Sequence, residues 1–170
     1  MRVWKDLISG DEMCSDSYAF VEIFDGAGLE VKGTFVSKKE NESFGLKANT
    51  DEGEDESVVD DKTTTVVDVV DGMRLQEITL DKKQFMTYIK GYLKAVKEQL
   101  ESRGKADRVA PFMKGATDLV KQLVSKWDEV QVFTGDSGHW DGGLAYCYMK
   151  EQPDAGPTFY YFLDGMKNEK

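Results

Sequence analysis

Apolar and polar residues alternate in short runs at both ends of the chain and switch to a helical period in the middle. "RVWKDLI" reads as a short strand, and "FVEIF" and "LEVKGTFV" as two more, joined by Asp25-Gly26-Ala27-Gly28, whose residues suit the positive φ of a hairpin turn. "TVVDVVD" and "RLQEITL" are rich in β-branched residues and predict further strands. Phe85, Ile89, Tyr92, Leu93, Val96 and Leu100 then recur on one helical face, opened by Asp81 and Gln84 in capping-box spacing. Gly104 marks a break, and Asp107 to Pro111 a second start. Phe112, Ala116, Leu119, Val120, Leu123 and Trp127 form a second stripe, so residues 81–127 predict an antiparallel helical hairpin. "VQVFTG", "LAYCYMK" and "FYYFLDG" return to strand, separated by Gly- and Asp-rich turns. Strands, a helical pair and more strands predict an α+β fold, mostly antiparallel.

One stretch breaks the pattern. Residues 37–64 lack periodic apolar positions and are dominated by acidic, Ser, Thr, Asn and Gly residues, which predicts a long mobile loop. At 170 residues the whole is read as a single domain.

Charge sharpens this picture. The net charge of −10 disfavours adhesion to nucleic acid. From Glu40 to Gly72 carboxylates crowd the chain against only Lys47 and Lys62, whereas between Lys82 and Lys126 basic residues outnumber Glu98, Glu101, Asp107 and Asp118. Lys83, Lys90, Lys94 and Lys97 lie near one another, turned away from the apolar face of the first helix. They form either a solvated helix face or a docking stripe for an acidic partner. The charged N-terminal segment holds no run of signal-peptide or membrane-spanning character, so a soluble, cytoplasmic protein without a membrane partner is expected.

Candidate chemistry is sparse. Cys14 and Cys147 are far apart and lack C-x-x-C pairing, against both a disulfide framework and a zinc site. An enzyme using either thiol as nucleophile is an alternative, but Cys147 sits within an alternating strand, where cysteine usually packs inertly. His139 is the single histidine and has no second imidazole for a zinc site. The acidic loop invites calcium, yet "NTDEGEDESVVD" fails the EF-hand pattern, so affinity of roughly 10⁻⁴ M or weaker is expected. Asn49 and Asp51 in the loop, with Asp136 and Asp141 in the late turn, are the candidate weak ligands; no cofactor is required. "DLISGDEMCSDSY", residues 6 to 18, is either a gripping surface or a set of turns in which Asp6, Asp11 and Asp16 cap backbone donors.

Six collinear segments resemble the translationally controlled tumour protein family: "DLISGDEMCSDSY", "TTVVDVVDGMRLQEI", "YIKGYLKAVKEQLE", "RVAPFMKGA", "VQVFTGDSGHWDGGLA" and "FLDGMKNEK". The resemblance implies a β-tent-like body carrying the helical hairpin and a mobile acidic loop. It also implies a non-enzymatic cytoplasmic protein of growth control that binds calcium, tubulin and microtubules, a small Ras-family GTPase and anti-apoptotic proteins. By position, Glu12 matches the family glutamate assigned to the GTPase. Lys83, Lys90, Lys94 and Lys97 fall in the region linked to tubulin. "EIFDG" matches a segment assigned to anti-apoptotic partners, but Ile23 and Phe24 read here as strand core. Family members often carry Gly-Glu where this chain has Gly135-Asp136, and Lys170 replaces a terminal cysteine.

Overall fold

The computed structural model describes residues 2–39, 63–138, 142–149 and 156–169. Eleven strands lie among them: β1 (Val3–Asp6), β2 (Glu12–Ser15), β3 (Phe20–Ile23), β4 (Gly28–Lys32), β5 (Phe35–Lys39), β6 (Thr63–Val67), β7 (Gln76–Ile78), β8 (Gln131–Thr134), β9 (Ala145–Tyr148), β10 (Thr158–Phe162) and β11 (Met166–Glu169). Three helices accompany them: α1 (Asp68–Met73), α2 (Lys82–Ser102) and α3 (Val109–Ser125). A six-stranded sheet runs β3-β4-β10-β9-β8-β7, a three-stranded sheet β11-β1-β2, and β5 pairs with β6. Every pairing is antiparallel, as the α+β reading expects.

The central strands β9 and β10 are buried on both faces, which is why their sequences read as nearly unbroken apolar runs. Tyr146, Tyr148, Tyr160 and Phe162 face a core shared with α2 and α3, where they meet Phe85, Leu119 and Trp127. The alternate residues Ala145, Cys147, Phe159 and Tyr161 face a second core with Trp4, Met13, Cys14 and Val69. The hairpin covers one side of the sheet; the small sheet and α1 cover the other.

Both predicted helices form with their predicted faces inward. Gln84 N donates to Asp81 Oδ1 at 2.7 Å and Asp81 N to Gln84 Oε1 at 3.0 Å, completing the capping box. At the other end of α2, Lys105 N donates to Leu100 O at 2.8 Å across Gly104, whose φ is 73°. This left-handed residue ends the helix where the sequence places the break. Trp127 stacks on Phe85 with centroids 4.5 Å apart, and its Nε1 donates to Leu80 O at 3.2 Å. From the connection between the two helices, Arg108 pairs in bidentate fashion with Asp164 at 3.1 and 2.7 Å and donates to Asp25 O at 3.1 Å.

Several expectations need correction. "LEVKGTFV" is two strands, because the chain turns at Gly33, where an added Cβ would lie 2.8 Å from both Phe159 and Pro157 O. "TVVDVVD" is strand only to Val67. Asp68 Oδ1 accepts from Thr34 N and Val69 N, starting α1 and driving Val69 into the second core, so packing overrides β propensity. Residues 37–39 and 63–64 of the expected loop are strand instead, since Lys39 pairs with Thr63 in a ladder extending to Phe35 and Val67; residues 40–62 lie outside the described ones. Ile23 ends its strand half-buried, but Phe24 belongs to the turn at φ 53°. β2 and β11 were not expected as strands.

Candidate functional site

The segment 6–18 divides into structural and exposed halves. Asp6 is buried, and its carboxylate accepts from Ile8 N at 3.2 Å, Ser9 N at 2.6 Å and Gly143 N at 2.9 Å. Asp16 accepts from Arg2 N at 3.1 Å, and Asp11 takes the Ser137 hydroxyl at 2.6 Å. These three aspartates therefore act as caps and ties, and Met13, Cys14 and Ser15 are core. Glu12 is exposed at the start of β2, opposite Lys5 and beside a register shift in the β1–β2 ladder.

Glu12 lines a polar cleft of about 410 Å³ together with Lys5, Asp11, Met73, Arg74 and Asp136. The structure thus brings Glu12 and Asp136, expected to serve different ligands, to one face. Arg74 Nη1 lies 3.9 Å from Asp136 Oδ2, and Gln76 Nε2 donates to Asp136 O at 2.7 Å. Both charged side chains are largely exposed, so the pair is weak. Arg74 caps α1 in the left-handed region at φ 57°, an uncommon setting for arginine that sequence inspection missed. Asn49, Asp51, Asp141 and His139 lie outside the described residues. Among the described residues, no group of three or more His, Cys, Asp or Glu could hold a metal ion.

On α2, Lys83, Lys90, Lys94 and Lys97 are all exposed. At about 100° per residue they fall within about 60° of one another. Among the described residues none of the four is in a salt bridge with a carboxylate. Between this stripe and the buried face lies an open, mainly apolar groove of about 600 Å³, lined by Leu80, Lys83, Thr87, Tyr88, Gly91 and Ala95. Tyr88 Oη donates to Gly142 O at one edge, and burial raises the Tyr88 hydroxyl well above its ordinary value. The sequence reading missed the groove, although Thr87, Gly91 and Ala95 at i, i+4 and i+8 were a visible signal of a shallow helix flank.

Both thiols are buried, and burial pushes Cys14 and Cys147 up to about 12, far from the thiolate a nucleophile needs. Among the described residues, no helix is long and apolar enough to cross a membrane.

The geometry defines a class: an antiparallel β-tent-like body carrying a helical hairpin with one basic face. The family model for translationally controlled tumour protein matches residues 1–167. Homologues of that protein from Theileria parva and Dictyostelium discoideum are 36% and 38% identical, each aligned over 100% of this chain and 99% of the relative. The solved translationally controlled tumour-associated protein of Schizosaccharomyces pombe superposes with a TM-score of 0.81 at 32% identity, covering 100% of this chain and 99% of that one. The Caenorhabditis elegans protein gives 0.67 at 28%, covering 100% and 98%. The chain belongs to the translationally controlled tumour protein family.

Proposed function

We propose that this chain is a non-enzymatic, multi-partner binding protein of the cytoplasm that acts in growth control, and that its basic α2 face docks the acidic surface of tubulin and microtubules. One observation carries the reading: four exposed lysines share one face of a rigid helix and, among the described residues, none is in a salt bridge with a carboxylate. Such a stripe attracts an acidic surface and steers its approach. Co-sedimentation with microtubules tests it. The pelleted fraction should fall as salt is raised above physiological strength and drop to background when the four lysines become glutamate. Pelleting that survives both changes refutes it.

Glu12 supports a second contact, with a small Ras-family GTPase. It is exposed on β2 beside Arg74 and Asp136, so a partner can meet charges of both signs there. Glu12→Ala should weaken GTPase binding in calorimetric titration without moving the unfolding midpoint; unchanged affinity removes the contact. Calcium binding is proposed as weak. Asp136 already leans on Arg74, and an absence of amide shifts at residues 49–56 and 136–141 in millimolar calcium would end that proposal. Contact with anti-apoptotic proteins through "EIFDG" would require Ile23 and Phe24, half-buried against the helical core, to come away from it.

A further inference from the structure

The groove beside the lysine stripe adds a second kind of recognition to the charge. We propose that the α2 flank binds an acidic peptide segment carrying one large apolar side chain, with that side chain in the groove and flanking carboxylates on Lys83, Lys90 and Lys94. The inference rests on the reading of α2 as a face for acidic partners and deepens it.

Two observations support the occupant. The first is charge complementarity at close range: Lys83 lines the groove itself, and Lys90 and Lys94 follow on the adjoining exposed strip of the same helix. An apolar floor with a cationic rim matches an amphipathic acidic segment. It suits a nucleic acid poorly, since the apolar floor offers little polar contact to phosphates or base edges.

The second is Gly91. It stands in the middle of a 21-residue helix, where glycine is less favourable than alanine. A Cβ added there meets nothing within 4 Å, so no described neighbour requires the glycine. Its effect is to deepen the groove between Thr87 and Ala95 and let an incoming side chain approach the helix backbone.

Two fluorescent peptides test the proposal, each long enough for about three helical turns. Both are glutamate-rich; one has a central phenylalanine and its twin an alanine. The wild-type chain should bind the phenylalanine peptide roughly tenfold more tightly than the alanine one. Gly91→Leu fills the groove from an open position with a good helix former, so it should melt no lower than wild type yet lose that preference. Equal affinity for the two peptides on wild type, or a preference that survives Gly91→Leu, overturns the proposal. Failure of both peptides to bind wild type would instead break the charge-docking reading beneath it. If Gly91→Leu leaves the peptide preference intact but alters self-association, or shifts amide signals of residues 40–62 or 139–141 in the free protein, the occupant is a second copy or the chain itself, and the proposal falls.

Discussion

Asp6→Ala separates the structural half of the N-terminal segment from its exposed half. The carboxylate is 2% exposed and satisfies three backbone N–H groups, one fully buried on Gly143 and two half-buried on Ile8 and Ser9. Leaving a buried donor unpaired costs about 1–3 kcal/mol, and half-buried donors recover part of that from water. The sum is roughly 3–5 kcal/mol, a large share of the stability of about 5–15 kcal/mol usual for a domain. Asp6→Asn keeps the shape and one carbonyl oxygen but turns an NH₂ toward donors on the other side, so roughly half the loss is expected. Urea unfolding followed by the fluorescence of buried Trp4 and Trp127 measures both variants. A loss below about 1 kcal/mol for Asp6→Ala, or a larger loss for Asp6→Asn, would refute the capping account.

Arg108→Ala should cost about 2–3 kcal/mol, since it leaves Asp164, whose side chain is 11% exposed, without its bidentate partner; Arg108→Lys should restore only part of this in the same urea assay. Gly91→Ala should stabilise the chain by up to about 1 kcal/mol by thermal or urea unfolding, because the added methyl meets nothing within 4 Å. With Cys14 and Cys147 held up to about 12, the folded chain at pH 8 should resist iodoacetamide until it unfolds. The unfolded thiols lose their protons first, near 9.0, so their contribution to stability is constant below that value. Between about 9 and 12 stability should fall by up to about 1.4 kcal/mol per pH unit per thiol. Unfolding midpoints across this range check the slope, and the Cys14→Ala, Cys147→Ala double variant should keep only the part due to buried tyrosines.

The helical hairpin was legible in the sequence because everything that defines it is local: the capping box, the left-handed Gly104 and two stripes of 3.6 period all act within a few residues. The central strands were legible for a related reason, as burial on both faces writes itself as an apolar run. Of the N-terminal sheet only β1 was, as the short strand in "RVWKDLI"; its partners β2 and β11 were not. β1 and β2 are short and their loop is acidic, and the groups that make this arrangement stable lie far along the chain: Asp6 reaches Gly143, Asp11 reaches Ser137, and β1 pairs with β11. No periodicity of residues 6–18 can announce such partners. α1 was hidden by its valines, whose β propensity yields to burial of Val69 and to the two amides held by Asp68. At the candidate sites, exposure of the lysines and of Glu12 followed from helix phase and segment position. The closeness of Glu12, Arg74 and Asp136 depends on three separate elements and was beyond sequence pattern.

Why binding should reside on α2 follows from how firmly that helix is held. Its inward face packs Phe85, Ile89, Tyr92, Val96 and Leu100 against the aromatic side of the six-stranded sheet. Near its start, Leu80 O is fixed by Trp127; beyond its other end, Gly104 and Lys105 close the last turn and Arg108 clamps the connection to Asp164 and Asp25. A surface helix tethered along one face and near both ends loses little backbone freedom on binding. The ordering cost of association then falls mainly on the lysine side chains and the partner. Lysine stems are long and recover part of that cost by lying over apolar surface, which the groove beside them supplies. The same architecture that buries the sheet therefore leaves its charge and its apolar floor in one fixed frame, and a partner offering only one of the two should bind more weakly than one offering both.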